Sequence, residues 1–294
     1  MTRAQATLRL ALGGSIISFS PVFVVIADVG PTITAFYRMA IGGVVLMVVA
    51  WVQGARRVPP LEHVASAAII GTVLALDIAV WHRSIQYVGP GLATILGNLQ
   101  VFFFAAFGVL FLGERMTRRL VFAVPMALLG LFLVFGFERQ LASADYRLGV
   151  FFGIVTAISY AAYLIVLRRT RAKFSADTPA ATVALFTVTA AIVLGLAGLA
   201  EGASFAVPNA TTLWAVIALG LLPQVLGWLL ISGAIAHVET SRAGLLLLLQ
   251  PTLAFVWDVV FFGRETGPIA YAGVLLALAG IYLGMGGSRR QTST

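Results

Sequence analysis

The stretch TILGNLQVFFFAAFGVLFLG, residues 94–113, decides how the chain is organised. It contains 20 residues and no charged side chain, and a helix needs about 20 apolar residues to cross a bilayer. The stretch returns at a shift of 150 residues, where Gln100 matches Gln250 and Gly113 matches Gly263. Over the 48 residues around it, this shift gives 13 identical pairs. The sequence therefore predicts an apolar membrane helix that occurs in two related copies.

The composition is that of an integral membrane protein. Of the 294 residues, 60% are hydrophobic and only 10% are charged, whereas soluble domains have about 25% charged residues. The chain has no Cys and three widely spaced His residues, so we expect no disulfide, no metal site and no cofactor. The net charge of +8 is explained better by basic cytoplasmic loops than by nucleic acid, because no basic face with interleaved aromatic residues exists.

Ten membrane spans account for nearly the whole chain and leave no room for a soluble domain. With a cytoplasmic N-terminus, 14 of the 19 Lys and Arg residues fall in cytoplasmic segments, so both termini are expected inside. The predicted spans are residues 8–27, 32–53, 62–86, 91–112, 118–137, 147–168, 179–200, 210–237, 241–262 and 267–286.

The repeat determines how the two halves are oriented. The 150-residue shift relates the fourth span to the ninth, and this odd offset of five spans places the copies upside down. A weaker match at a shift of 140 residues puts Gly13 on Gly153. We therefore predict an all-α integral membrane protein with ten transmembrane helices in a five-plus-five inverted-topology repeat, with halves 1–140 and 141–294. Such repeats give alternating access around a central site.

Polar and aromatic side chains within the spans indicate where a substrate would bind, because polar groups in lipid usually face a cavity or a partner helix. An amino acid needs donors for its carboxylate, acceptors for its ammonium and an apolar surface for its side chain. Helical spacing places Tyr160 and Tyr163 on one face. The predicted substrate-binding residues are Ser18, Phe19, Asp77, Trp81, His82, Asn98, Phe102, Tyr160, Tyr163, Gln224, Trp228 and Gln250.

Each of these residues also has a structural explanation. Trp and Tyr gather at membrane interfaces, and amides and hydroxyls often only hold helices together. For Trp257, near the outer end of its span, the interface explanation is favoured. Pro21 and Pro251 are interpreted as gating bends, since a proline within a span frees a carbonyl and permits a bend; a static kink is the alternative.

The charged groups within or next to the spans leave several roles open. Asp77 could contact a substrate ammonium, carry a coupling proton, or pair with Arg38 or Arg83. A structural pairing is favoured for Arg38, with carboxylate binding as the alternative. Glu114 is expected to cap the fourth span and to pair with the arginines that follow it in the next loop.

Several short motifs point to a known family. They are Arg38 early in the second span, Gly113-Glu114 closing the fourth, and Gln250-Pro251 inside the ninth. With its two five-span halves, the chain resembles the EamA-type carriers of the drug/metabolite transporter superfamily over essentially its whole length. Among them it looks most like the YddG-type exporters of aromatic and other amino acids. The second half departs from the pattern at Gly263-Arg264-Glu265. The resemblance implies a bacterial inner (cytoplasmic) membrane protein.

The sequence thus favours a secondary carrier that exports amino acids, with aromatic and other hydrophobic ones preferred. No enzyme motif or phosphate loop occurs, so no catalysis is expected. Efflux of cationic drug-like compounds is the main alternative and would depend on Asp77. A phosphate or sugar-nucleotide carrier would need more basic residues, and an intramembrane enzyme would need a base such as His82 beside a serine. The expected partners are a small-molecule substrate and the lipid bilayer, and a monomer is compatible with the sequence.

Overall fold

The computed structural model describes residues 1–55, 59–114, 117–135, 144–174, 178–263 and 267–285, and every regular element in these ranges is helical. A π-helical turn (Gly220–Gly227) and a 3-10 turn (Ile235–His237) interrupt the α-helices near the end of the chain. The α-helices are α1 (Arg3–Ile17), α2 (Ser20–Ile26), α3 (Pro31–Val52), α4 (Leu61–Asn98), α5 (Gln100–Leu112), α6 (Arg118–Phe135), α7 (Ala144–Lys173), α8 (Pro179–Ala200), α9 (Ala210–Leu219), α10 (Trp228–Ala234), α11 (Thr240–Leu247), α12 (Leu249–Phe262) and α13 (Pro268–Met285).

The chain is a multi-pass membrane protein. Among the described residues, seven helical segments are long and apolar enough to cross a bilayer, and two further apolar helices are shorter. Large apolar side chains remain on the outside of the bundle, such as Trp214 at 70% exposure and Leu275 at 69%, as expected for a surface that lipid covers. The all-α membrane class predicted from the sequence is confirmed, while this count of seven long segments is smaller than the predicted ten.

The largest difference from the predicted spans lies in α4. Its 38 residues would extend about 57 Å if straight, nearly twice the thickness of the hydrocarbon core. The chain instead turns back within it. A Cβ atom built on Gly153 would lie 3.1 Å from Ser84 Oγ and 2.6 Å from Leu96 Cβ. Those two residues would be about 18 Å apart along a straight helix. The reversal falls at the predicted connection between the third and fourth spans.

Helices α6 and α13 pack backbone to backbone. A Cβ atom built on Gly130 would lie 2.4 Å from the backbone nitrogen of Ala277, and one built on Gly280 would lie 2.7 Å from that of Ala127. Adding 150 to the α6 numbers gives the α13 numbers, so the same contact occurs twice with the helices exchanged. The contacts run antiparallel. Small residues at such crossings let membrane helices approach closely without a cavity.

Three of the membrane segments are broken near their centres. Between α1 and α2, the Ser15 hydroxyl donates to the carbonyl of Ala11 and the Ser18 hydroxyl to that of Ser15, a type of bond that bends helices. Single residues, Leu99 and Leu248, separate α4 from α5 and α11 from α12. These breaks leave backbone groups and side chains available in the interior, which membrane proteins tolerate where the backbone lines a site.

The two prolines interpreted as gating bends lie in the first turns of helices that follow breaks. Pro21 is the second residue of α2 and Pro251 the third of α12. A proline in the first helical turn loses no hydrogen bond, because the amide groups there have no partner within the helix. The bends are therefore located at helix starts rather than within continuous helices.

Candidate functional site

A buried chain of hydrogen bonds joins α3, the π-helical turn and α8. Arg38 Nε donates to Gln224 Oε1 over 3.1 Å, and Gln224 Nε2 donates to Thr187 Oγ1 over 2.8 Å. Gln224 is completely buried, and Gly42 makes room for it, since a Cβ there would lie 2.6 Å from Gln224 Cγ. Both ends of the Gln224 amide are thus satisfied, and the side chain fixes Arg38 within the bundle.

The π-helical turn places Gln224 and Trp228 on the inner side of their segment. It contains Pro223, which has no amide hydrogen to donate and so favours a departure from regular α-helical bonding. Such turns are rare and are frequent at functional sites, where the wider turn re-aims side chains. Gln224 and Trp228, which the sequence predicts to bind the substrate, are both buried.

An aromatic wall stands beside this network. The Tyr160 and Tyr163 rings stack with centroids 5.1 Å apart, as the helical spacing predicts. Trp228 lies 5.6 Å from the Tyr163 ring and 5.7 Å from that of Phe186, the latter edge to face. Phe186 is a member of this wall that the sequence analysis did not select. The Nε1 atom of Trp228 is buried without a hydrogen-bond acceptor among the described residues.

Gln250 joins the aromatic wall from α12. Its Nε2 atom lies 3.1 Å from the Tyr160 hydroxyl, so the amide holds the tip of that ring. A Cβ atom built on Gly14 would lie 3.8 Å from Gln250 Cγ, which places the first helix against the same group. One cluster is formed by Arg38 and five residues selected from the sequence as substrate-binding residues, Tyr160, Tyr163, Gln224, Trp228 and Gln250. Within it, Tyr163, Gln224 and Trp228 are buried and the others half-buried. We call this set the central cluster.

Asp77 lies at the depth of the central cluster. A Cβ atom built on Gly97 would contact both Trp81 (3.8 Å) and Thr156 (3.1 Å), so these two residues are level on antiparallel helices. One turn further along each helix brings Asp77 level with Tyr160. Asp77 is 9% exposed, and its Oδ1 atom is buried with no hydrogen-bond partner in the described part of the chain.

The pairing of Asp77 with an arginine, which the sequence left open, is not what the structure shows. Arg38 is bonded to Gln224 instead. Arg83 Nη2 lies 4.0 Å from Glu201 Oε1, close to Thr32, whose hydroxyl donates to Glu201 Oε2 over 2.8 Å. A cavity of about 300 Å³ is lined by these three residues and by Ala79, two positions along α4 from Asp77.

Ser18 and Phe19 contact Trp257 at the break between α1 and α2. Trp257 Nε1 donates to Ser18 Oγ over 2.7 Å, and its ring stacks on that of Phe19 with centroids 4.4 Å apart. These contacts give Trp257 partners within the bundle, and the interface role favoured from the sequence stays a prediction. Its ring belongs to a contact between the N-terminal segment and α12, and it should be added to the candidate residues.

Four other predicted residues do not belong to the central cluster: three lie elsewhere in the structure, and the side chain of the fourth is not among the described residues. Asn98 is buried at the end of α4, and Trp81 is half-buried and close to it in space, because a Cβ atom built on Gly97 would lie 3.8 Å from the Trp81 ring. Phe102 is 44% exposed, so the structure does not bring it into the buried set, although helical spacing had placed it beside Asn98. The side chain of His82 lies outside the described residues. No group of three or more His, Asp or Glu that could hold a metal occurs in the described ranges.

Glu114 has partners that the sequence did not indicate. Its carboxylate accepts hydrogen bonds from the backbone amide and the hydroxyl of Thr240 (2.6 Å each) and from those of Ser241 (3.2 and 3.1 Å), at the start of α11. Arg168 Nη2 lies 3.7 Å away. Gly113, in the left-handed conformation at φ 65°, turns the chain after α5 so that Glu114 points back into the bundle. These contacts across the bundle were not predicted, and Arg115, one of the arginines expected to pair with Glu114, lies outside the described residues.

Other ion pairs surround Glu114 at the same end of the molecule. Glu239 pairs with Arg3 (2.6 Å) and with Arg242 (3.0 Å), and Lys173 pairs with Glu62. We call this end, defined by Arg3, Glu62, Glu114 and Glu239, the N-terminal face. Burial raises the pKa of Glu114, but the hydrogen bonds from Thr240 and Ser241 outweigh it and hold the pKa below its ordinary value of 4.5.

Comparison with known proteins identifies the family. The model of the EamA-like transporter family matches the chain twice, at residues 4–136 and 147–285. The chain belongs to the EamA-like transporter family. This membership confirms the family predicted from the sequence. The protein is a membrane transporter, and the two matches divide it close to its midpoint.

Named relatives of this transporter are distant exporters. It is 25% identical over 261 residues to a probable terminal-alkyne amino-acid exporter of Streptantibioticus cattleyicolor, covering 87% of this chain and 86% of that protein. It is 25% identical over 210 residues to a probable amino-acid metabolite efflux pump of Salmonella typhimurium, covering 68% of each. It is 22% identical to the pseudopaline exporter of Pseudomonas aeruginosa, over 90% of this chain and 92% of that one. A crystal structure with 19% identity covers 96% of this transporter at a TM-score of 0.83, which supports the fold.

Proposed function

We propose that this transporter exports amino acids from the cytoplasm as a secondary carrier, with aromatic and other hydrophobic side chains preferred, as in YddG-type exporters. The observation that supports this most directly is the central cluster. Its Arg38 guanidinium group, its Gln250 amide and its stacked tyrosines bring polar groups and an apolar ring surface together in one region, which is what an amino acid requires. The names of the relatives from Streptantibioticus and Salmonella point to the same substrate class.

The proposed binding residues are those of the central cluster together with Asp77, Ser18, Phe19, Trp81 and Asn98. Trp257 and Phe186 are added because they contact Ser18, Phe19 and Trp228. Pro21 and Pro251 are proposed to mark gating bends, since each lies in the first turn of a helix that follows a break. No enzymatic activity is proposed.

Movement would follow alternating access between two inverted five-helix halves, residues 1–140 and 141–294, within a ten-helix bundle. Three observations support this proposal. The family model matches each half once. The α6–α13 contact is the same when the helices are exchanged, and exchange of antiparallel helices requires a two-fold axis perpendicular to them, in the membrane plane. Both α5 and α12 follow a break and end in a left-handed glycine, Gly113 and Gly263.

We further propose that the N-terminal face is cytoplasmic in a bacterial inner membrane. The excess of basic residues on the segments that end there supports this orientation. Both termini would then be cytoplasmic.

Efflux of cationic compounds is the second candidate, and the buried carboxylate of Asp77, which has no hydrogen-bond partner for Oδ1 among the described residues, favours it. Counterflow into liposomes that contain only the purified protein separates the two candidates. Liposomes are loaded with unlabelled tryptophan, methionine, threonine, a quaternary ammonium drug or a nucleotide sugar, and entry of the labelled compound is followed. Exchange of tryptophan and methionine supports amino-acid export; exchange of the drug alone overturns it.

A further inference from the structure

Two opposite charges lie around the tyrosine pair of the central cluster. Asp77 is level with Tyr160 across the α4–α7 packing, and Arg38 reaches the same region from α3. The Tyr163 ring is stacked on that of Tyr160 and lies 5.6 Å from the Trp228 ring. Trp228 directly follows the π-helical turn that holds Gln224, the partner of Arg38. In the described part of the chain, however, the two charges do not form an ion pair with each other.

Arg38 is held in a way that leaves part of its guanidinium group unused. Its Nε atom bonds to Gln224, which is itself fixed by Thr187. Among the described residues, its two terminal nitrogens have no hydrogen-bond acceptor. A guanidinium group oriented through one nitrogen can present its remaining donors to a carboxylate in a fixed plane. Gln224 therefore acts as a positioning residue for this charge.

Asp77 lacks a hydrogen-bond donor or cation for its buried Oδ1 atom among the described residues. A carboxylate buried in a membrane protein without a cation or hydrogen-bond donor is strongly unfavourable. The missing partner for Oδ1 within the described residues therefore indicates a group that a ligand brings. An ammonium group suits this position, because it carries a positive charge and three donors and needs no acceptor of its own.

We propose that Asp77 and Arg38 form a two-charge site that binds the substrate as a zwitterion. This inference rests on the proposed amino-acid transport and specifies how it achieves selectivity. The substrate ammonium binds at Asp77, its carboxylate binds at the terminal nitrogens of Arg38, and its side chain packs along the Tyr160, Tyr163 and Trp228 rings. A compound with one charge only leaves the opposite protein charge buried and uncompensated. The site therefore discriminates against amines that lack a carboxylate, which a cation-efflux site would accept.

The test compares three indole compounds that differ only in their charged groups: tryptophan, tryptamine and indole-3-propionate. Each labelled compound is followed by counterflow, with protein-free liposomes measuring passive leak. Binding is measured separately as the ligand-induced rise in the Tm of the purified protein in detergent. The variants are Asp77→Asn and Arg38→Gln. Arg83→Gln is the matched control, because Arg83 is half-exposed and pairs only loosely with Glu201.

The wild type should prefer tryptophan over both analogues by about 10-fold or more, since a hydrogen bond to a charged group contributes enough for that factor. In Asp77→Asn, tryptophan counterflow should fall by a similar factor, and the preference among the three compounds should move toward indole-3-propionate. Arg38→Gln should move the preference toward tryptamine. Arg83→Gln should keep the wild-type order. If either site variant fails to fold, Asp77→Glu and Arg38→Lys should retain tryptophan preference, because each keeps its charge.

The outcomes separate this inference from the proposed function. Wild-type exchange of no amino acid contradicts amino-acid export itself. A second outcome is that the wild type exchanges tryptophan while Asp77→Asn and Arg38→Gln reduce counterflow of all three compounds equally. That result supports the carrier function and overturns the two-charge site. Equal wild-type use of tryptophan and tryptamine also overturns it, because Arg38 would then contribute nothing to recognition.

Discussion

Glu114 joins the first half of the chain to the second at the N-terminal face, and its removal should release that contact. Four hydrogen bonds converge on its carboxylate from the start of α11, and Arg168 adds an opposite charge. The side chain is only 12% exposed, so solvent screens these interactions weakly. If alternating access opens this face, the contact exists in one state only, and Glu114→Gln should shift the equilibrium toward opening.

The size of the shift follows from the hydrogen bonds. A bond to a charged group contributes about 1.5–3 kcal/mol. The amide of Glu114→Gln keeps one oxygen as acceptor, so about two of the four bonds and the attraction to Arg168 are lost, roughly 3 kcal/mol in total. At 1.4 kcal/mol for each factor of ten, the population of the closed state relative to the open state should fall by a factor of about 150.

A single cysteine can report this opening, because the chain has none of its own. Val101 is completely buried, and a Cβ atom built on Gly244 of α11 would lie 3.3 Å from Val101 Cγ2. A thiol in Val101→Cys should react slowly with a water-soluble maleimide and up to about 150-fold faster when Glu114→Gln is added. Gln53→Cys, exposed after α3 at the N-terminal face, controls for reagent access.

The matched control is Glu62→Gln, which removes an exposed carboxylate from the same face. Its pair with Lys173 is more than half exposed on both sides, so its loss should change thiol reactivity by no more than about twofold to fivefold. Equal reactivity of Val101→Cys with and without Glu114→Gln would refute the reasoning, since the contact would then not hold the face closed.

Three further predictions follow from the same structure. Acidification below about pH 4.5 should remove the stability that Glu114 provides, because a lowered folded-state pKa stabilises only while the carboxylate is charged; the difference in Tm between wild type and Glu114→Gln should shrink as the pH falls, and a constant difference would contradict this. Trp228→Phe should reduce amino-acid counterflow and lower the Tm by a few degrees, because phenylalanine lacks the indole N–H group, which has no described acceptor, and is smaller than the buried indole; unchanged counterflow would exclude that N–H group from binding. Gly130→Ala should lower the Tm by several degrees, since its Cβ would meet the Ala277 backbone at 2.4 Å, whereas Gly267→Ala, with nothing within 4 Å, should not; equal effects would argue against the α6–α13 packing.

Helix positions were predictable because apolar length and breaker residues determine them locally. The predicted span 179–200 coincides with α8, and the predicted span 32–53 differs from α3 by one residue at each end. The central breaks were less visible. Leu99 and Leu248 are ordinary helix-forming residues, so no local pattern marks the helix ends there.

The candidate site was predictable in membership but not in pairing. Polar groups are unfavourable in contact with lipid, so Gln224, Gln250 and Tyr160 could be predicted to face the interior. In the structure they lie close together. The partners of Arg38 and Glu114 lie more than 50 residues away in the chain, so sequence spacing could not identify them. The contacts of Trp257 with Ser18 and Phe19 were also not predictable, because these residues lie near opposite ends of the chain.

The π-helical turn Gly220–Gly227 has a consequence for how such a site can change. Each residue added to or removed from a helix rotates everything beyond it by roughly 100°. Gln224, which orients Arg38, and Trp228, which closes the aromatic wall, both depend on the wider winding of this turn. Deleting one residue here would turn Trp228 away from the interior without altering any side-chain chemistry. On the proposed binding site, helical phase would therefore set substrate choice as well as residue identity, and a one-residue insertion or deletion would alter it as much as a substitution.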